Sequence, residues 1–434
     1  MAATSAAQPF RALKLLLRKD EIDEAIRHLR DAVVGLGNLQ KLVEAGDTAS
    51  IAGGSPSSKK ARQLAKTLSR AREYANLLYS AIAQSWSPTC SQNHSTKLFL
   101  EPRVALKQLA RQGNEGNNEK LKYKALILCS AETTPALVWH EDHIELLEED
   151  IPSVPMTPPS AGTINAAVRV PAVTFTGVQQ SQQAQLTLND VVNLCELIKQ
   201  ALVEQKVFQL YLLQQSRMQF GNSQNSCVAT PASKRNATLA ELLTVSGSRG
   251  DRTRRIPLKN RMLLALALSS NMLQLQETPW LSESWSKNDI LFLEKQGVTA
   301  NAAHISAADF DTTRPFILRK FATGAMTAVT SLPPRRALQD FAVVLLELWH
   351  ETTLELQFGL TTTPSSGDRL SLALDWLDDQ MNPPPDQYRQ AVSQCLQPHF
   401  STVSGVLSWD DLQFRHAICQ FVINPLGKTC EQWS

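Results

Sequence analysis

Residues 337–351 read ALQDFAVVLLELWHE, and this stretch decides the fold because a helix through it is apolar on nearly every side. At helical spacing Phe341, Val344, Leu345 and Leu348 form one stripe, with Val343, Leu346 and Trp349 beside it. Only Glu347 interrupts them. A surface helix carries a single apolar stripe, whereas one that is apolar all round lies inside a large domain or a membrane. The run is too short for the roughly 20 residues that span a bilayer. It therefore predicts the buried axis of a sizeable helical domain.

Working outward, the 434-residue length has room for two or three domains. The 43 Lys and Arg residues nearly balance 41 Asp and Glu, so the charge balance does not call for nucleic acid or an anionic membrane. The opening MAATSAAQPFRALKLLLRKDEIDEA passes from three leucines straight into charges, without the apolar core and cleavage site of a secretory signal. No apolar run reaches spanning length. Seven scattered cysteines, odd in number and without a CxxC pair, fit reduced thiols inside a cell. A cytoplasmic protein without a transmembrane segment is expected. Glycine is sparse, 18 residues in all, and none falls in a P-loop pattern.

The chain divides into an N-terminal helical region over 1–86, a small mixed α/β lobe over 87–236 and a helical lobe over 237–434. In the first, apolar residues recur at three- and four-residue steps over 9–46 and again from Lys59 to Gln84, predicting a helical hairpin. In the second, TKLFLEPRV, LKYKALILCS and VFQLYLLQQSRMQF read as strands. LTLNDVVNLCELIKQAL reads as a helix with Asn189 or Asp190 as its cap. A loop with four prolines lies at 151–163, after an acidic run. In the third, ATLAELL, residues 258–276, RLSLALDWLDDQM, YRQAVSQCLQ and DDLQFRHAICQFVI read as helices, and DILFL as a strand. The fold class is thus α+β, mainly helical.

Strands, a helix, more strands, a short helix, a long helix, NDILFL and then a buried helix led by Asp340 together resemble a protein kinase domain. QDFAVVLLELWHE is similar to the central kinase helix, whose leading aspartate ties the catalytic-loop backbone in place. Together with the Trp86–His94 segment, VVNLCELI, TPWLSESWSKNDILFL and DTTRPFIL, the chain resembles an uncharacterised fungal family. Its members join an N-terminal helical region to a degenerate, pseudokinase-like half. The resemblance implies a two-lobed kinase-like body and a role in fungal signalling or in incompatibility and cell-death responses.

Phosphoryl transfer needs a glycine-rich cover, a phosphate-holding lysine, a catalytic aspartate and metal-binding side chains. Asp289 falls where the resemblance places a metal-binding asparagine, which puts Ser284 at the catalytic aspartate and Ser282, Glu283 and Ser284 where a kinase reads HRD. A serine cannot serve as that base. The ADFD run at 308–311 ends in Asp rather than Gly and lies too far downstream of Asp289, GxGxxG is missing, and Lys122 and Lys124 are nominal nucleotide lysines only. Neither a cofactor nor nucleotide binding is expected.

The remaining candidates have plain readings. Asp340 is expected to cap the buried helix and accept backbone N–H groups, and Glu347 to be paired, since an unpaired buried carboxylate costs several kcal/mol. Trp280 and Trp285 are expected as core anchors. Cys90, His94, His140 and His143 give a weak zinc pattern, and a Trp86–His94 pair finishing a helix fits them better. The basic run with Arg249, Arg252, Arg254, Arg255, Lys259 and Arg261 has no interleaved aromatic residues and reads as a solvated loop.

The resulting expectation is a non-catalytic scaffold or regulatory module with protein partners. Its alternatives are an atypical phosphotransferase using Asp289, Asp309 or Asp311 as metal ligands, and a nucleic-acid-associated protein acting through residues 249–261.

Overall fold

The computed structural model describes residues 56–86, 94–102, 122–129, 138–147, 188–204, 208–213, 215–222, 230–231, 235–246, 255–281, 286–295, 306–321, 332–362, 364–400 and 406–431. The expected helix over 9–46, the proline-rich loop, residues 249–254 of the basic run, Ser282 to Trp285 and Cys90 lie outside them. The chain forms two units, Met1–Gln63 and Leu64–Ser434. Apart from residues 56–63 at the start of the first helix, everything that follows lies in the second.

Helix α1 spans Pro56–Gln84 and buries Leu68, Ala71, Ala75, Leu78 and Ile82, the face its periodicity predicts. The small residues let other elements come close: Tyr123 Oη donates to Ala71 O and Trp280 Nε1 donates to Ala75 O at 2.7 Å. Strands β1 (His94–Phe99), β2 (Lys122–Cys129) and β3 (Val138–Leu147) follow as antiparallel neighbours. After the short β4 (Asn189–Asp190), helix α2 (Leu194–Glu204) leads to β5 (Phe208–Leu213), which lies parallel to β3. A parallel pair needs a crossover, and α2 lies on it. The cap of α2 is Asn193, whose Oδ1 accepts from Cys195 N at 3.0 Å. Asn189 and Asp190, the caps expected from sequence, instead pair with Phe220 and Gln219.

Strands β6 (Met218–Asn222), β7 (Thr230–Pro231) and β8 (Asn236–Thr238) precede helix α3 (Leu239–Ser246), which opens on a capping box between Thr238 and Glu241. Helix α4 (Leu258–Leu275), β9 (Leu291–Leu293), a 3-10 turn at Ala307–Asp309 and β10 (Phe316–Phe321) come next. All ten strands form one mixed sheet, ordered β4-β6-β5-β3-β2-β1-β10-β9-β8, with β7 on β3. Next to the central β2 lies β1, all six residues of which are buried. Strands from both halves of the chain meet there, because β10 pairs with β1 along its whole length. With helices packed beside this mixed sheet, the fold is α+β.

The helical part is built on α5 (Pro334–His350), the axis expected from the opening stretch. Leu338, Phe341, Leu345, Leu346 and Leu348 are fully buried. The helix stops at Glu351, whose φ of 57° is left-handed. Around it lie α6 (Leu354–Gln357), α7 (Ser366–Leu377), α8 (Asp386–Leu396) and α9 (Leu412–Ile418). A π-helical turn at Cys419–Ile423 then runs into α10 (Asn424–Glu431). Tyr388 of α8 is wholly buried and donates to Leu345 O at 2.7 Å. Among the described residues, no helix is long and apolar enough to cross a membrane.

Candidate functional site

Two of the residues singled out from sequence, Trp280 and Asp289, line one cleft. It holds about 210 Å³ and is completed by Leu281, Asn288, Leu291, Ile317, Leu318 and Arg319. Its floor is set where α4 ends. Thr278 Oγ1 turns back on Leu275 O at 2.6 Å, Glu277 is left-handed at φ 58°, and Trp280 drops into the core. The indole packs edge-on against Tyr79 and Phe321, with ring centroids at 5.5 and 6.3 Å, as a core anchor.

One wall is the turn 286–289, closed by Asp289 N–H on Ser286 O at 3.0 Å. The side chain beneath that turn, Lys287, was not marked in the sequence reading. Its Nζ lies 2.5 Å from Glu347 Oε1 and 2.5 Å from Glu355 Oε2. Glu347, fully buried, also accepts the Leu354 N–H at 2.9 Å, which ties the turn to the start of α6. Burial holds the Glu347 pKa above its ordinary value, against the pull of Lys287. For Glu355 burial, the largest single influence, acts upward too, but the hydrogen bond and charge of Lys287, a backbone hydrogen bond and the charge of Arg369 together outweigh it and the pKa falls. Glu347 is thus paired, as its isolation in an apolar helix required.

The opposite wall is β10. Arg319 reaches over the floor and donates from Nε to Trp280 O at 2.6 Å. Asp289 stands at the rim, and packing around its carboxylate raises its pKa while Arg319 opposes the rise. Desolvation likewise lowers the Arg319 pKa, opposed by Asp289 and Tyr79. The two groups sense each other electrostatically without closing an ion pair. What the cleft offers chemically is a half-buried fork of donors on one side, a carboxylate and the Asn288 amide on the other, and an apolar floor.

Asp340 lies elsewhere, and its expected capping role is corrected. Helix α5 begins at Pro334 behind Pro333, with no side-chain cap. Asp340 falls in its second turn and pairs with Arg336 at 3.0 Å and Arg369 at 3.8 Å. A proline at the first helical position needs no acceptor for its missing N–H, so the helix starts without the aspartate.

Asp309 sits in the 3-10 turn, and Asp311 accepts from Thr313 N and Oγ1, folding the entry to β10. Neither is among the residues lining the cleft with Asp289. Among the described residues, no group of three or more His, Cys, Asp or Glu is placed to hold a metal ion.

His94 stacks on Trp86 with centroids 4.1 Å apart, in the pairing expected to finish α1. Lys122 pairs with Glu145 at 3.3 Å. Lys124 lines a second cleft of about 360 Å³ with Phe99, Glu101, Thr313 and Arg314. Of the basic run, Arg261 is buried rather than solvated. It donates to Leu348 O at 2.9 Å and Trp349 O at 2.6 Å, the terminal carbonyls of α5.

Arg319 was also missed by sequence. It lies in FILRKF, where the apolar run Phe316 to Leu318 and the closing Phe321 were the available strand signal.

Fold and site together define an α+β protein whose cleft opens between the end of its longest buried helix and an inner strand of its sheet. Residues 65–433 match the family described as a domain of unknown function, DUF7580, and the chain belongs to that family. No curated protein and no solved structure matches it.

Proposed function

We propose that the chain is a protein-interaction or regulatory scaffold on a kinase-like, two-lobed and non-catalytic body. The observation that carries this reading is the engagement of Lys287 by Glu347 and Glu355. In the kinase resemblance, this region of the chain supplies the groups that hold metal and phosphate. Here its lysine anchors a turn to the helical core. Asp340, the residue resembling the tether of a catalytic loop, is likewise engaged by Arg336 and Arg369. These charges serve packing. The body then presents its helices and the Asp289–Arg319 cleft to partner proteins. A role in fungal signalling or incompatibility follows from the family resemblance, and the cytoplasmic setting from the scattered cysteines without a CxxC pair.

The test is a thermal-shift titration of the full chain with ATP, with and without Mg or Mn. A specific ligand at a hundred times its dissociation constant stabilises by about 2.7 kcal/mol, a readable shift. The expected outcome is no shift. A metal-dependent shift, joined to phosphotransfer that Asp289→Asn abolishes while the variant stays folded, overturns the reading in favour of an atypical phosphotransferase.

A further inference from the structure

Strands β9 and β10 share a single register position, Phe316 opposite Leu291. β10 continues to Phe321, and β1 pairs with it all the way on its other side. Among the described residues, nothing pairs with the β9 side of residues 317–320. The opposing chain turns away there, because Leu239 N–H takes Ile290 O at 2.8 Å and Ala240 N–H takes Lys287 O at 3.2 Å. The 210 Å³ cleft is the gap this leaves, with three consecutive β10 residues, Ile317, Leu318 and Arg319, along one wall.

An unpaired stretch of strand edge presents N–H and C=O groups at ladder spacing, and an extended chain is what satisfies them. The cleft is also smaller than the roughly 300–1,000 Å³ typical of sites for drug-sized molecules. A strand laid along the edge needs room for only one side chain.

We infer that the cleft docks an extended segment of a partner polypeptide, added as a strand along residues 317–320 with an acidic side chain on Arg319. The charge pattern selects that occupant. Arg319 is fixed in place through Nε, while its terminal N–H groups bond to no described residue and are half-desolvated. A planar fork so held is matched by a carboxylate. Asp289 on the facing rim disfavours a second acid beside the first. The choice of a polypeptide rests on the scaffold reading, but the test below involves no nucleotide, so either can fail alone.

The probe is a library of displayed random heptapeptides, panned against the full chain after depletion on Arg319→Gln. Enriched sequences are expected to carry an acid in an alternating apolar pattern, and to bind Arg319→Gln about tenfold or more weakly in fluorescence polarisation. Main-chain N-methylation at alternate positions is expected to abolish binding. Because Arg319→Gln also loses the bond to Trp280, Asp289→Lys is the second variant. It keeps that bond, removes a like charge and should tighten the same peptides. Failure to enrich any sequence, equal binding to Arg319→Gln, weakening by Asp289→Lys, or tolerance of N-methylation at every position would each overturn the inference.

Discussion

Lys287 Nζ sits 2.5 Å from Glu347 Oε1, so the one carboxylate within the apolar stretch of α5 is neutralised by a side chain 60 residues away in sequence. That contact fixes the cleft wall to the core of the helical part. Lys287 also reaches Glu355, while the main chain beside it carries Asn288 and Asp289 to the rim.

Removing the lysine leaves Glu347 buried without its counter-charge. Lys287→Met is expected to lower unfolding stability by about 3–5 kcal/mol, read as a shift in the urea midpoint. The double variant with Glu347→Leu should recover a large part of this, since two apolar groups replace both charges. A Lys287→Met variant as stable as the parent would show that the pair does not hold the turn.

Leu345 is fully buried at the centre of α5. Leu345→Ala is expected to cost about 2–5 kcal/mol through the cavity it leaves. Leu345→Asp should yield insoluble protein, because its charge has no partner there. Normal recovery of soluble, folded Leu345→Asp would refute the buried-axis assignment.

His350 stacks on Trp376 at 4.7 Å, and burial lowers its pKa to about 4, with Asp379 acting the other way and Arg261 adding to the fall. The unfolded chain, with an ordinary histidine near 6.5, therefore binds the proton more readily than the folded one. Its stabilising contribution is complete above pH 6.5 and is lost as pH falls from 6.5 towards 4. The imidazole is partly solvated, so the loss should be about 1–2 kcal/mol rather than the full linkage value. Urea midpoints across that window should flatten in His350→Gln, and an unchanged slope would count against the burial argument.

Arg261 donates to Leu348 O and Trp349 O and lies 3.3 Å from Glu351. A lysine keeps the charge but not the fork, leaving α5 carbonyls without donors. Arg261→Lys should destabilise by about 1–3 kcal/mol in chemical unfolding. A neutral result would place the C-terminal hold on α5 elsewhere.

Much of this fold was legible before any contact was known. The buried axis, α1, α4 and the helices after α5 follow from apolar spacing, which is a local property of the chain. So does the pairing of Glu347, since an isolated acid in an apolar helix must find a counter-charge. Strands were harder. WHEDHIELL in β3 carries five ionisable side chains and reads as part of an acidic run, yet β3 pairs with β2 from Lys122 to Cys129. FILRKF was hidden because six residues, three apolar then two charged, are too short a run to carry a strand period.

The site was legible only in half. Sequence could mark Trp280 and Asp289, but not that Arg319 would bind the carbonyl of Trp280 or that Lys287 would bind Glu347. Helix periodicity depends on residues three and four apart. A cleft depends on side chains brought together by strand register and helix packing, and those separations of 39 and 60 residues leave no mark on local pattern. The sequence by itself determined which surfaces had to be buried, because hydrophobic burial acts residue by residue. Only the tertiary structure decided where β9 parts from β10, because the Leu239 and Ala240 hydrogen bonds draw the 286–290 turn away from the ladder.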